Sequence, residues 1–118
     1  MTTAPHSRLL QFLFDAEKPL RIADGDNRRL QAQVLCDLGL VDYRKSGWWQ
    51  TSEAGHRFVG GSIDVNTFLY QLRELAQRTL EANAPGLGGK LNAAESKQRR
   101  NRYHSAQLAL EWLRDGRA

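Results

Sequence analysis

The chain has one cysteine, one methionine and three prolines among 118 residues, and these scarcities exclude several chemistries at once. A lone thiol, Cys36, can form no internal disulfide and no multi-cysteine metal site. On a helix it reads as a small filler residue. The histidines His6, His56 and His104 are scattered with no pair at metal-ligand spacing, so no metal or cofactor is expected. No apolar run approaches the roughly 20 residues that a membrane helix needs, and the N-terminus MTTAPHSRLLQ lacks the basic-then-apolar layout of a leader. A cytoplasmic location without membrane contact is therefore expected. Gly86, Gly88 and Gly89 lack the strand, lysine and hydroxyl context of a phosphate loop, and no Ser/His/Asp or paired-carboxylate set stands out. The chain does not read as an enzyme.

What the chain does have is a hydrophobic fraction of 41%, enough for a real core, and a net charge of +4 that is unevenly placed. Residues 1 to 83 hold ten Lys/Arg and ten Asp/Glu, whereas residues 84 to 118 hold seven and three, so the whole excess lies in the last 35 residues. Attraction to nucleic acid is to be sought there first.

The stretch from Asp26 to Val59 organises the rest. Asp26 can accept from the free N–H groups of a following helix, and Gly39 is placed to end it. Along that helix Leu30, Val34, Leu35 and Leu38 gather on one side, with Arg29, Ala32, Gln33 and Cys36 opposite. After Gly39 the period changes. Leu40, Val41 and Tyr43 suit a strand, Lys45-Ser46-Gly47 a turn, and Trp48-Trp49-Gln50 a returning strand. The adjacent tryptophans must point to opposite faces, so only one enters the core and the other is an interface candidate. Thr51 is expected to cap a new helical turn through Glu53.

These residues carry a resemblance. Leu35, Leu38-Gly39-Leu40-Val41, Trp48-Trp49-Gln50-Thr51 and Gly55 resemble a signature of winged helix-turn-helix proteins, including small bacterial and phage regulators, over about half of the chain. The resemblance implies a winged-helix core and, by extension, DNA binding. The interval Pro19 to Gly25 leaves room for at most one helical turn where such proteins carry a scaffold helix, so the helix-turn-helix half is abbreviated.

Before this unit, a helix from about Ser7 to Glu17 holds Leu9, Leu10, Phe12, Leu13 and Phe14, too densely apolar for an exposed surface. After it, Gly60-Gly61-Ser62 makes a hinge. Asp64 caps a helix reaching about Ala82, with Val65, Phe68, Leu69, Leu72, Leu75, Ala76 and Leu80 inward and Glu74 and Arg78 spaced for an ion pair. NAPGLGGK, residues 83 to 90, is a loop. Asn92 and Glu95 resemble a capping box for a last helix from about Ala93 to Arg114. Its first half is basic. Its second half has Tyr103, Ala106, Leu110 and Leu113 on one stripe, with Leu108 and Trp112 nearly opposite. Two apolar faces need two neighbours: the 64 to 82 helix, and either the first helix or a second copy of the chain.

The expected fold is thus mainly α with a small β-hairpin, a winged-helix core over residues 1–61 and a C-terminal helical hairpin over 62–118, packed as one compact domain. Leu10, Phe14, Leu30, Val34, Leu38, Phe58, Phe68, Leu72 and Leu75 form its core. Candidate contacts for nucleic acid or a partner are Arg28, Arg29 and Gln33 on the second helix, Arg44 and Lys45 on the wing, and Lys97, Arg99, Arg100 and Arg102 on the last helix. Tyr103, Leu108 and Trp112 are the candidate homodimer interface. Two functions remain open. One is a dimeric DNA-binding transcriptional regulator acting on duplex DNA. The other is a winged-helix protein-interaction module for an acidic protein or ribonucleoprotein complex, such as a phage-encoded, anti-CRISPR-like inhibitor of a host defence complex. Overall basicity favours the first; Asp24, Asp26 and Asp37 around the second helix favour the second, because they repel phosphate.

Overall fold

A computed structural model describes residues 7–61, 64–86 and 92–118; His6, Ser62 and residues 87–90 of the glycine-rich loop lie outside them. In chain order the elements are α1 (Arg8–Asp15), β1 (Leu20–Arg21), α2 (Arg28–Asp37), β2 (Val41–Tyr43), β3 (Trp48–Thr51), α3 (Glu53–Gly60), α4 (Val65–Ala82) and α5 (Ala93–Arg114). The chain is mainly helical with one small antiparallel sheet, whose strand order is β1-β3-β2.

Helix α1 begins at Ser7, whose hydroxyl accepts from the Leu10 N–H at 3.2 Å. Leu9, Leu10, Phe12 and Leu13 are buried, but Phe14, expected in the core, is 43% exposed. Five large apolar residues over one and a half turns subtend more than one face, and Phe14 is the one left outside. The interval after Pro19 holds a strand in place of a helical turn. Leu20 pairs with Trp49 and Arg21 with Trp48, adding a third strand to the expected hairpin.

Asp26 does accept from α2, taking the Arg28 N–H at 2.8 Å. At the other end the Leu40 N–H reaches the Leu35 carbonyl and the Gly39 N–H that of Cys36, both at 2.9 Å, with Gly39 at φ 86°. That paired closure needs a left-handed residue after the last helical one, which glycine adopts without strain. The helix is rotated from the expected orientation. Ala32, Val34, Leu35 and Leu38 are buried while Leu30 is 52% exposed. Helix α2 is flanked by both α1 and α5, so its buried arc is wide enough to take in Ala32. Leu30, in the first turn of α2, lies outside that arc. Leu38→Ala should therefore cost about 2 to 5 kcal/mol and Leu30→Ala no more than about 0.5 kcal/mol. Urea unfolding of the two variants checks this, and equal losses would return Leu30 to the core.

The hairpin pairs Val41 with Thr51, Asp42 with Gln50 and Tyr43 with Trp49. Its turn passes through Ser46 at φ 57° and Gly47 at φ 82°. Trp49 is 3% exposed and Trp48 41%, as adjacent strand positions require. Thr51 does not cap α3. It is still paired in β3, so its hydroxyl faces inward and donates to the Leu13 carbonyl at 2.7 Å. The cap is Ser52, whose Oγ accepts from the Gly55 N–H at 3.0 Å and donates to the Gly39 carbonyl at 2.7 Å.

Helices α4 and α5 keep their expected limits. Asp64 takes the Thr67 N–H at 2.7 Å, and the Asn92 side-chain oxygen takes the Glu95 N–H at 2.8 Å while its amide donates to the Glu95 carboxylate at 2.9 Å. Phe68, Leu72 and Ala76 are buried; Phe58 and Leu75 only half so. Arg78 donates to the Glu74 carbonyl at 3.4 Å, and no Glu74–Arg78 ion pair is formed among the described residues. Helix α5 packs on α4 and, on its other side, on α2. Its deepest residues are the small ones Ser105, Ala106 and Ala109, which let helix axes approach closely. The end of the chain turns back through Gly116, and the Ala118 carbonyl accepts from the Ser7 hydroxyl and the Arg8 N–H at 2.7 and 2.9 Å.

Candidate interaction surfaces

Helix α2 presents Arg28, Arg29 and Gln33 to solvent, as the sequence suggests. Each is already met by a carboxylate. The Asp26 carboxylate takes the Arg28 guanidinium at 3.3 Å, Asp24 pairs with Arg29, and the Gln33 amide donates to Asp37 at 3.1 Å. Asp37 in turn accepts from the Ser105 hydroxyl, which ties α2 to α5. The Arg28 backbone N–H and guanidinium hold the Asp26 carboxyl below the usual carboxylate range, so it is ionised at neutral pH. Exposed ion pairs like these contribute little stability and can be exchanged for a ligand. The carboxylates nevertheless remain beside any phosphate that approaches.

On the sheet, alternation places Asp42, Arg44, Trp48 and Gln50 on the face opposite Val41, Tyr43, Trp49 and Thr51. Arg21, directly across from Trp48, joins the outer face. It was invisible in the sequence because β1 was. Arg44 donates to the Gln50 side chain at 3.3 Å, and Lys45 stands exposed at the turn. Neither forms an ion pair among the described residues. Tyr43 packs edge-on against Trp49, ring centres 4.8 Å apart.

The basic half of α5 is not one surface. Arg99 is half-buried and donates to the Ala82 carbonyl at 2.9 Å, at the C-terminus of α4 where a cation meets the negative end of the helix dipole. That contact ties α5 to the end of α4. Lys97 and Arg100 share an outer ridge with His104 by helical spacing, while Arg102 leaves from the other side. All four of these side chains are exposed. Lys97, Arg100 and Arg102 make no ion pair among the described residues.

Tyr103, Leu108 and Trp112 are half-buried, and Leu108 and Trp112 pack on this chain's own core. Since α2 meets the second side of α5, the apolar surplus that pointed to another copy of the chain is largely absorbed within it. An open groove remains between α4 and the end of α5, lined in part by Leu69, Tyr70, Arg73, Leu108, Glu111 and Arg114. Tyr70 there is 66% exposed.

Burial raises the Cys36 thiol above its ordinary range, which favours its protonated form. Among the described residues no three His, Cys, Asp or Glu side chains converge as a metal site, and no helix is long and apolar enough to cross a membrane. No family model, no curated protein and no solved structure matches this chain.

Proposed function

We propose that this chain is a binding protein on an abbreviated winged-helix frame, one that docks a protein or ribonucleoprotein partner and does not read duplex DNA through α2. The observation that carries this is the set of carboxylates around α2: Asp24 and Asp26 in the turn before it and Asp37 at its end engage the three side chains that would have to read bases. The order α1-β1-α2-β2-β3 with sheet order β1-β3-β2 supports a winged-helix frame lacking its scaffold helix. Exposed Leu30 and Tyr70 suit a protein contact better than a phosphate. A second reading, the DNA-binding regulator, is favoured by Lys97, Arg100 and Arg102, which are exposed and form no ion pair among the described residues.

One titration separates the two. Random and selected duplexes are titrated over a salt series from 50 mM upward. The docking reading expects at most weak, sequence-indifferent binding, unchanged by Arg29→Ala with Gln33→Ala. A regulator expects a steep salt dependence, with a log-log slope flattened by about 1.8 when Lys97 and Arg100, which share one ridge of α5, are both neutralised, near 0.9 per phosphate contact. A preferred duplex whose advantage disappears in the Arg29→Ala, Gln33→Ala protein would overturn the docking reading, because base contacts carry specificity.

A further inference from the structure

Arg28, Arg29, Arg114 and Arg117 each sit on a carboxylate. Arg21 and Arg44 form no ion pair among the described residues, and they occupy the two positions flanking Trp48 on the outer face of the sheet. Arg21 is its cross-strand partner on β1. Arg44 lies across from it on the hairpin side, its N–H bonded to the Trp48 carbonyl at 2.8 Å. Neighbouring strands stand about 4.8 Å apart, which sets the two arginine Cα atoms about 10 Å apart with the indole between them. The indole is 41% exposed, and the ring contacts of the described residues involve Tyr43, Trp49, Phe58 and Phe68 but not Trp48. Lys45 adds a charge at the turn beside this row. The one acid on the face, Asp42, is opposite Gln50, a row away.

We propose that this outer face binds single-stranded nucleic acid, one unpaired base stacking on Trp48 while Arg21 and Arg44 hold phosphates on either side of it. An open aromatic face between uncompensated cations is the arrangement by which single strands are held without reading sequence. A duplex buries its base faces in its own stack and offers Trp48 nothing flat. An acidic peptide would satisfy the arginines but leaves the indole without an occupant. This inference goes beyond the docking reading and concerns a different face of the molecule from α2.

The test is binding of the full chain to a fluorescent 20-nucleotide oligo-dT and oligo-U at 50 mM salt, with unlabelled duplex and polyglutamate as competitors. Both single strands should bind, and neither competitor should displace them at equal charge concentration. Trp48→Ala should weaken binding about five- to 150-fold, with Trp48→Phe retaining most of the affinity, since stacking needs only a ring. Arg21→Gln with Arg44→Gln, both exposed and remote from the core, should flatten the log-log salt slope by about 1.4, near 0.7 per phosphate of a single strand. That double variant carries the test if Trp48→Ala unfolds. Absence of single-strand binding at 50 mM salt overturns the proposal, and so does binding indifferent to Trp48 or an unchanged salt slope. Equal displacement by duplex or by polyglutamate also overturns it, assigning the face to duplex DNA or to an acidic protein. The α2 variants of the duplex titration leave this site intact, so the two readings fail separately.

Discussion

Gly55→Ala should destabilise the protein by about 3 kcal/mol or more, although it adds a single methyl group. A Cβ at that position would lie 2.1 Å from the Leu40 carbonyl oxygen and 2.7 Å from the Thr51 methyl. Overfilling a packed interior usually costs about 1 to 3 kcal/mol, where side chains can yield. Here the obstacle is backbone, and it is pinned. The Leu40 carbonyl accepts from the Ser52 N–H at 3.0 Å, and the Ser52 hydroxyl bridges the Gly39 carbonyl and the Gly55 N–H. Moving α3 away to admit the methyl would break the joint between the end of α2, the hairpin and the start of α3 at one point. Thermal melting should show a midpoint lowered by more than about 10 °C, given about 4 to 8 °C per kcal/mol for a domain near this size. A loss below about 0.5 kcal/mol would mean that α3 does not approach the hairpin this closely.

The same joint shows why part of the fold was legible in the sequence. Gly39, the Ser46-Gly47 turn, the Asp64 and Asn92 caps and the limits of α4 and α5 depend on residues three to five apart, and local backbone demands leave a local trace. The role of Gly55 is different in kind. It stood in the sequence as part of a resemblance, but its reason, the Leu40 carbonyl against it, lies across the hairpin. Strand β1 left no trace at all: two residues have no periodicity, and they become a strand only because Trp48 and Trp49 stand beside them.

The candidate site was legible in composition and illegible in state. The exposure of Arg28, Arg29 and Gln33 followed from helical spacing, and Asp24, Asp26 and Asp37 were seen near them. That Asp24 and Asp26 take the two arginines depends on how the turn before α2 folds back, whereas Asp37 meets Gln33 at ordinary helical spacing. Arg99 looked like its basic neighbours until the end of α4 came within its reach. The rotation of α2 is not legible from its large apolar residues, because the small Ala32 takes a place in the buried arc and Leu30 does not. Small residues likewise hide α2 as the second neighbour of α5, whose close face is made by Ser105, Ala106 and Ala109.

Phe68→Ala should cost about 3 to 5 kcal/mol, the range for emptying a buried aromatic site. Phe68 is fully buried and is the largest such side chain among the described residues. It stands on α4, and its ring meets that of Phe58 on α3 edge-on, ring centres 5.6 Å apart and planes at 88°. The contact therefore joins the first half of the chain to the C-terminal helical pair, and the ring pair adds about 0.5 to 1.5 kcal/mol beyond its buried area. Helix α5 makes a second join by packing on α2 as well as on α4. If these joins make one cooperative unit, the variant must lower the stability of the whole chain. Urea unfolding followed by far-ultraviolet circular dichroism and by tryptophan fluorescence distinguishes the outcomes, because Trp48 and Trp49 report on the sheet and Trp112 on α5. Coincident transitions, both shifted to lower urea, are expected. A fluorescence transition from the sheet that stays at the wild-type midpoint while helical signal is lost early would show that residues 1–61 fold without the C-terminal pair, and that Phe68 stabilises only its own half.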